Sequence, residues 1–428
     1  MPTQPAIECT TPADASIGTT DAQACAGKRP ITNRPQDAIL PYITQVKRSP
    51  DSFSCYHRIM AGPGRNFSRR GFLFTTAAAH MAAQQKKTSF PSEVKRYEDP
   101  TTDLDVYRLT SPDHSSTLPA YYNRAVAHNN GSLLFCCDRN GAPQAHRMDL
   151  KNGETRELTD AQDLDGSSLT LTPDNRWFCY FAGRQLFMSA MAGHSKQLYQ
   201  VPEGWERCPG LTVGPDGTHA TFAERQGDKS RLQMVPLVQG AARTVVEVPF
   251  AMSHPIPRPM RAQILFRQED QALWMVNSDG TQKRQLKLAA GKIGPANWAA
   301  DGKTLLYLSI PADPMQITTI REHVPDTNVD TLVSKTSQYA QFGFNQPATV
   351  FVGACRSAAS PTILIMLRIT RRELTLCEHK ASHPEMTVPR FSYDTQRLYF
   401  QSDRDGQPAI YGLHLEKFLE KTEPETAG

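Results

Sequence analysis

The chain has 428 residues, 39% of them hydrophobic, and carries 47 Lys and Arg against 43 Asp and Glu for a formal net charge of +4. That near balance, without a basic stripe interleaved with aromatics, excludes nucleic acid as an expected partner. The 32 prolines and 26 glycines disfavour long helices and suit a turn-rich β protein, and the length fits one large or two ordinary domains.

Residues 1–59 are rich in Thr, Ala, Pro and Asp and show no sustained periodicity. They read as a disordered or mis-called extension, with Met60 as the expected start. Residues 60–84 contain Ser68-Arg69-Arg70-Gly71-Phe72-Leu73 directly before a short alanine-rich run. This is the layout of a twin-arginine export signal, which predicts a periplasmic or extracellular location; the alternative is a chance basic turn ahead of a small helix. The run is too short for a permanent membrane span, which needs about 20 residues.

From residue 97 a unit recurs in which an Asn-Gly or Asp-Gly type turn is followed by short β-rich runs. Its clearest copy runs from Asn129-Asn130-Gly131 through Leu133-Leu134-Phe135 to Asn152-Gly153 and Leu158-Thr159. Counterparts of the first turn follow at Pro173-Asp174-Asn175, Pro215-Asp216-Gly217, Pro259-Met260, Asp301-Gly302-Lys303, Asn345-Gln346-Pro347 and Tyr393-Asp394-Thr395. The spacing of roughly 41 to 48 residues is that of a four-stranded propeller blade. The reading is therefore an all-β, seven-bladed β-propeller of four-stranded antiparallel blades over residues 97–415. The segment Leu104–Thr110 looks like a last strand placed before the first full repeat, and Ala409–Leu413 ends a repeat one strand early, so the two are expected to close the ring in one blade. Residues 416–428 read as a charged tail, helical or frayed.

The nine cysteines form no CxxC or Cys/His metal spacing, and those in the repeats read as small buried hydrophobes. The chain contains no GxSxG, HExxH, P-loop or dinucleotide-binding glycine pattern.

Within the repeats, Tyr107–Thr110, Val201-Pro202-Glu203-Gly204-Trp205, Ser253-His254-Pro255-Ile256-Pro257-Arg258-Pro259, Trp274–Thr281 and Phe400–Tyr411 resemble, in order, landmarks of the oligogalacturonate lyases. The resemblance implies a lyase that cuts short pectin fragments by β-elimination in a central funnel. It places His254 at the family's base position, with Arg258 as a carboxylate contact. It also implies Mn²⁺ held by histidines and a glutamine. At the corresponding positions this chain reads Gly294-Pro295-Ala296, Gln341 and Met386-Thr387-Val388-Pro389-Arg390, which leaves His383 and Gln341 as candidate metal ligands. Tyr122, Arg124, Arg390 and His383 are the expected substrate-binding residues, and a small acidic oligosaccharide the expected partner of a monomer. Convergence of His254, Arg258, His383 and Arg390 would let the funnel grip a uronate without a metal. The competing expectation is a non-catalytic periplasmic propeller of TolB type that binds an acidic saccharide or a protein. In that case His254 is a structural histidine at the inner edge of a blade.

Overall fold

The computed structural model describes residues 88–419 apart from Asp270 and Pro314; the expected extension, the export signal and the end of the tail lie outside the described residues. Seven antiparallel sheets form the seven blades of a propeller. The first strands of the blades lie at Ser116–Thr117, Thr170–Leu171, Glu206–Val213, Met252–Pro257, Lys292–Trp298, Tyr339–Phe344 and Arg390–Phe391. Second strands such as Ser132–Cys137, Trp177–Ala182 and Val350–Cys355 are nearly continuous apolar runs because each blade is covered on both faces by its neighbours. Seven apolar clusters fill the seams. Leu306, Ile320, Tyr339 and Phe351 fill one, and Phe181, Leu211 and Phe222 another.

All seven turns found in the sequence join a first strand to a second; six are closed by a short backbone bond, as in Asn175 N–H to Thr172 O and Gly302 N–H to Ala299 O, and the turn at Met260 by a longer one of 3.4 Å from Arg261 N–H to Arg258 O. Each also holds one residue at positive φ: Asn130, Asn175, Gly217, Met260, Gly302, Ala348 and Thr395. Met260, Ala348 and Thr395 take a conformation that Asn or Gly takes in the other four turns, and the first two lie in the turns without an Asp-Gly type signature.

The ring closes as expected, with Val106, Tyr107 and Arg108 paired to Leu413, Gly412 and Tyr411 in the blade that contains Arg390–Phe391. Two blades depart from the four-stranded expectation. Ser89–Phe90 adds a fifth strand beside Thr155–Glu157, and Lys95–Glu98 adds one beside Asp105–Arg108. Both cover edges that would otherwise present unpaired backbone; strands this short and polar carry no pattern a sequence reading can detect. The six described cysteines are free and buried. The expected tail begins as a single helical turn, Glu416–Leu419.

Candidate active site

Four consecutive first strands are interrupted at the same level. Their pairing shifts between Arg207 and Leu211, Ser253 and Ile256, Ile293 and Ala296, and Tyr339 and Gln341. Pro209, Pro255 and Pro295 lie in three of these bulges, where a missing N–H does no harm to the ladder. A bulge turns a side chain out of the strand's alternation. In the second bulge the residue turned is His254, whose φ of +50 lies in the left-handed region, a conformation that costs a non-glycine residue of order 1–3 kcal/mol. Gly210 of the preceding blade packs against it. A Cβ at Gly210 would fall 2.6 Å from His254 Cα, so that approach requires glycine.

The last three of these bulges border a cavity of about 650 Å³, at the end of the ring where first strands begin and second strands end. His254 enters it with Nδ1 2.8 Å from Ser253 Oγ. The Tyr122 ring stands edge-on to the imidazole, and burial pushes the Tyr122 phenol well above its usual range, keeping it neutral. Arg267, 8% exposed, donates Nη1 to Ile293 O and Nη2 to Gly294 O, each at 2.6 Å. Its guanidinium thus fixes the next blade's bulge while lending the wall a positive charge. Lys292 and Arg356 are exposed at the same cavity, and Glu385 is its single lining carboxylate among the described residues. Gln341 donates to Glu385 O at 3.2 Å and accepts from Phe342 N–H. The arrangement offers an imidazole facing a pocket with a cationic excess, suited to an acidic ligand whose proton is to be moved.

The channel floor is an excursion of the first blade between residues 118 and 124. Leu118 N–H donates to Gln401 Oε1 and Ala296 N–H to the Tyr121 hydroxyl. Arg390 donates to the carbonyls of Pro119, Ala120 and Asn123, and its burial lowers the guanidinium pKa to about 10. Tyr121 lines the His254 cavity and also a second cavity of about 210 Å³ at the opposite end.

The structure brings His254 and Gln341 together and disperses the other expected residues. Tyr122, Arg124 and Arg390 border the second cavity, although Tyr122 touches His254 from below. Arg258 is 2% exposed and donates to Gly302 O at 2.6 Å, to Gln263 Oε1 at 2.7 Å and to both Asp326 carboxylate oxygens at 2.8 and 2.9 Å. It stacks over Trp298 and staples its blade to the next. His383 is exposed ahead of the short 3₁₀ turn Pro384–Met386 and lines neither cavity. The expected convergence of His254, Arg258, His383 and Arg390 does not occur, because the first-strand residues 254 and 258 point to opposite ends of the ring. Arg267, Lys292 and Arg356 escaped the sequence reading; the visible signal was an arginine inside the apolar run Ile264-Leu265-Phe266-Arg267.

The Mn²⁺ set implied by the resemblance does not fit these residues. Gly294 offers only a carbonyl, which Arg267 occupies, and Met386 and Val388 lack the oxygen or imidazole donors that manganese favours. Among the described residues no group of three His, Cys, Asp or Glu could hold a metal ion, and no helix is long and apolar enough to cross a membrane.

No family model matches the chain. Curated relatives do: an oligogalacturonide lyase of Pectobacterium atrosepticum is 24% identical across 76% of this chain and 97% of its own length. An oligogalacturonate lyase of Dickeya dadantii is also 24% identical, across 77% of this chain and 97% of its own. Among solved structures, an oligogalacturonate lyase in complex with manganese superposes with a TM-score of 0.72 at 23% identity, covering 77% of this chain and 98% of that one. The oligogalacturonate lyase of Vibrio parahaemolyticus gives 0.72 at 20% identity over 80% of this chain and all of the other.

Proposed function

We propose, from the premise that the chain belongs to the oligogalacturonate lyase family, that it cleaves short uronate oligosaccharides by β-elimination in the His254 cavity. In this mechanism Nδ1–H of His254 donates to Ser253 Oγ, leaving the Nε2 lone pair as the base. Nε2 takes the proton at C5, beside the uronate carboxylate. Lys292 and Arg356 hold that carboxylate, and with Arg267 they stabilise the enolate-like charge that develops on it. The electron pair then forms the C4–C5 double bond as the C4–O bond breaks, and the leaving oxygen is protonated by the imidazolium or by water. The observation that carries the reading is the left-handed His254 on a bulge facing three cations and one carboxylate. One solved oligogalacturonate lyase is a complex with manganese; no step here is routed through that ion, since the donor set does not fit.

The test is ultraviolet absorbance of the unsaturated product from digalacturonate, with His254→Ala as control. Absence of product from folded protein that still binds digalacturonate would favour the non-catalytic saccharide-binding reading, which the missing metal ligands support. We also propose that residues 60–84 direct export; a reporter fused after residue 84 should reach the periplasm only with Arg69 and Arg70 intact.

A further inference from the structure

The second cavity differs from an ordinary channel mouth in its charge. It is lined by Arg124 and Arg390, and its wall includes no Asp or Glu among the described residues. Arg124 donates to His128 Nε2 and, at 3.3 Å, to Asn175 Oδ1. The first of these bonds requires a neutral imidazole, in keeping with the downward shift that burial and Arg124 impose on His128. Arg390 donates only to backbone carbonyls, and its Nε is buried with no hydrogen-bond partner. Two largely sequestered guanidiniums therefore share one cavity with neutral partners alone, an arrangement whose desolvation cost an anion would offset. The nearby carboxylate of Asp174 stands outside the wall, held by Thr172 Oγ1 and Arg176 N–H.

The rest of the wall indicates what kind of anion. Phe342, Phe344, Phe391 and Tyr393 face the space, with Tyr393 46% exposed at its mouth and the His128 ring 4.5 Å from it. Ring faces of this kind suit the C–H face of a pyranose. A volume of about 210 Å³ falls below the pockets of roughly 300 Å³ and more that hold drug-sized ligands, so it suits one ring rather than a chain. We propose that this cavity is a second, non-catalytic site for a single uronate residue, its carboxylate on Arg124 and its ring against Tyr393.

The test uses the full chain with Lys292→Ala and Arg356→Ala, which strip the exposed cations from the His254 cavity, titrated calorimetrically with D-galacturonate. One equivalent should still bind. Adding Arg124→Gln should weaken it at least ten-fold, and so should Tyr393→Ala, a substitution at an exposed position that folding tolerates. D-galactose, without the carboxylate, should not bind. The proposal is overturned by the absence of heat in the parent variant, by heat unchanged in both added variants, or by equal affinity for galactose. Galacturonate has no glycosidic bond to cleave, so this outcome is independent of the product assay for the His254 cavity.

Discussion

The ring centroids of Tyr122 and His254 lie 5.5 Å apart with their planes at 79°, which joins the floor of the channel, contributed by the first blade, to the strained histidine of the fourth. The contact restricts the plane of the imidazole without using the Tyr122 hydroxyl. Tyr122→Phe should therefore retain most of the elimination rate, while Tyr122→Ala should lower kcat about ten-fold and His254→Ala at least a hundred-fold, within the range of general base catalysis. The rate of appearance of unsaturated product measures all three.

Gly210→Ala should damage the site from a distance. The added methyl would press on the His254 backbone and also place an L-residue at φ +105, costing about 1–3 kcal/mol and displacing the imidazole. Gly141→Ala is the control, with φ +91 and no atom within 4 Å of the new Cβ. A lower melting temperature should appear in both, and a loss of product formation only in the first.

Arg258 should behave as a staple. Arg258→Ala strands Gln263 and Gly302 O and removes a guanidinium from Trp298, which should cost about 2–4 kcal/mol. Thermal unfolding, rather than KM for digalacturonate, is the quantity expected to move.

Burial holds His146, His323 and His379 neutral, with the pKa of His146 lowered to about 3 and those of the other two lowered from the ordinary value. Because the folded values lie below the unfolded value of about 6.5, unfolding takes up protons in acid. Stability is thus fully present above pH ~6.5 and falls as pH drops toward the folded values, by up to about 1.4 kcal/mol per pH unit for each histidine. Replacing His146 with Phe, between Phe90 and Phe135, should flatten the fall in melting temperature between pH 6.5 and 4.5.

Since Arg267 occupies the Gly294 carbonyl and no imidazole stands at residues 294–296, protein dialysed against EDTA should keep its elimination rate, and added Mn²⁺ should not raise it. A rate that collapses on chelation and returns with Mn²⁺ would show that the cavity assembles a metal site from other donors.

Much of the fold was legible because each blade repeats one turn with one backbone demand, met by Asn130, Asn175, Gly217 or Gly302 wherever the sequence advertises it. Even spacing located the turns at Met260 and Ala348. The site was less legible. His254 emerged through a phrase shared with a family, but its strain comes from pairing with the neighbouring strand, and that does not show in a linear pattern. Arg258 misled for the same reason: four residues along the strand carry it to the other end of the ring. Lys292 and Arg356 are ordinary surface cations until the ring brings them beside His254.

The pairing of Arg108 with Tyr411 also sets a clock. Strands made early in synthesis stay without their template until residue 414 has emerged, and closing so long a loop is slow. A nascent chain therefore carries two unsatisfied sheet edges for most of its synthesis. A truncation that removes only Ala409–His414 should expose both permanently, producing a polypeptide that aggregates through those edges instead of a slightly shorter propeller.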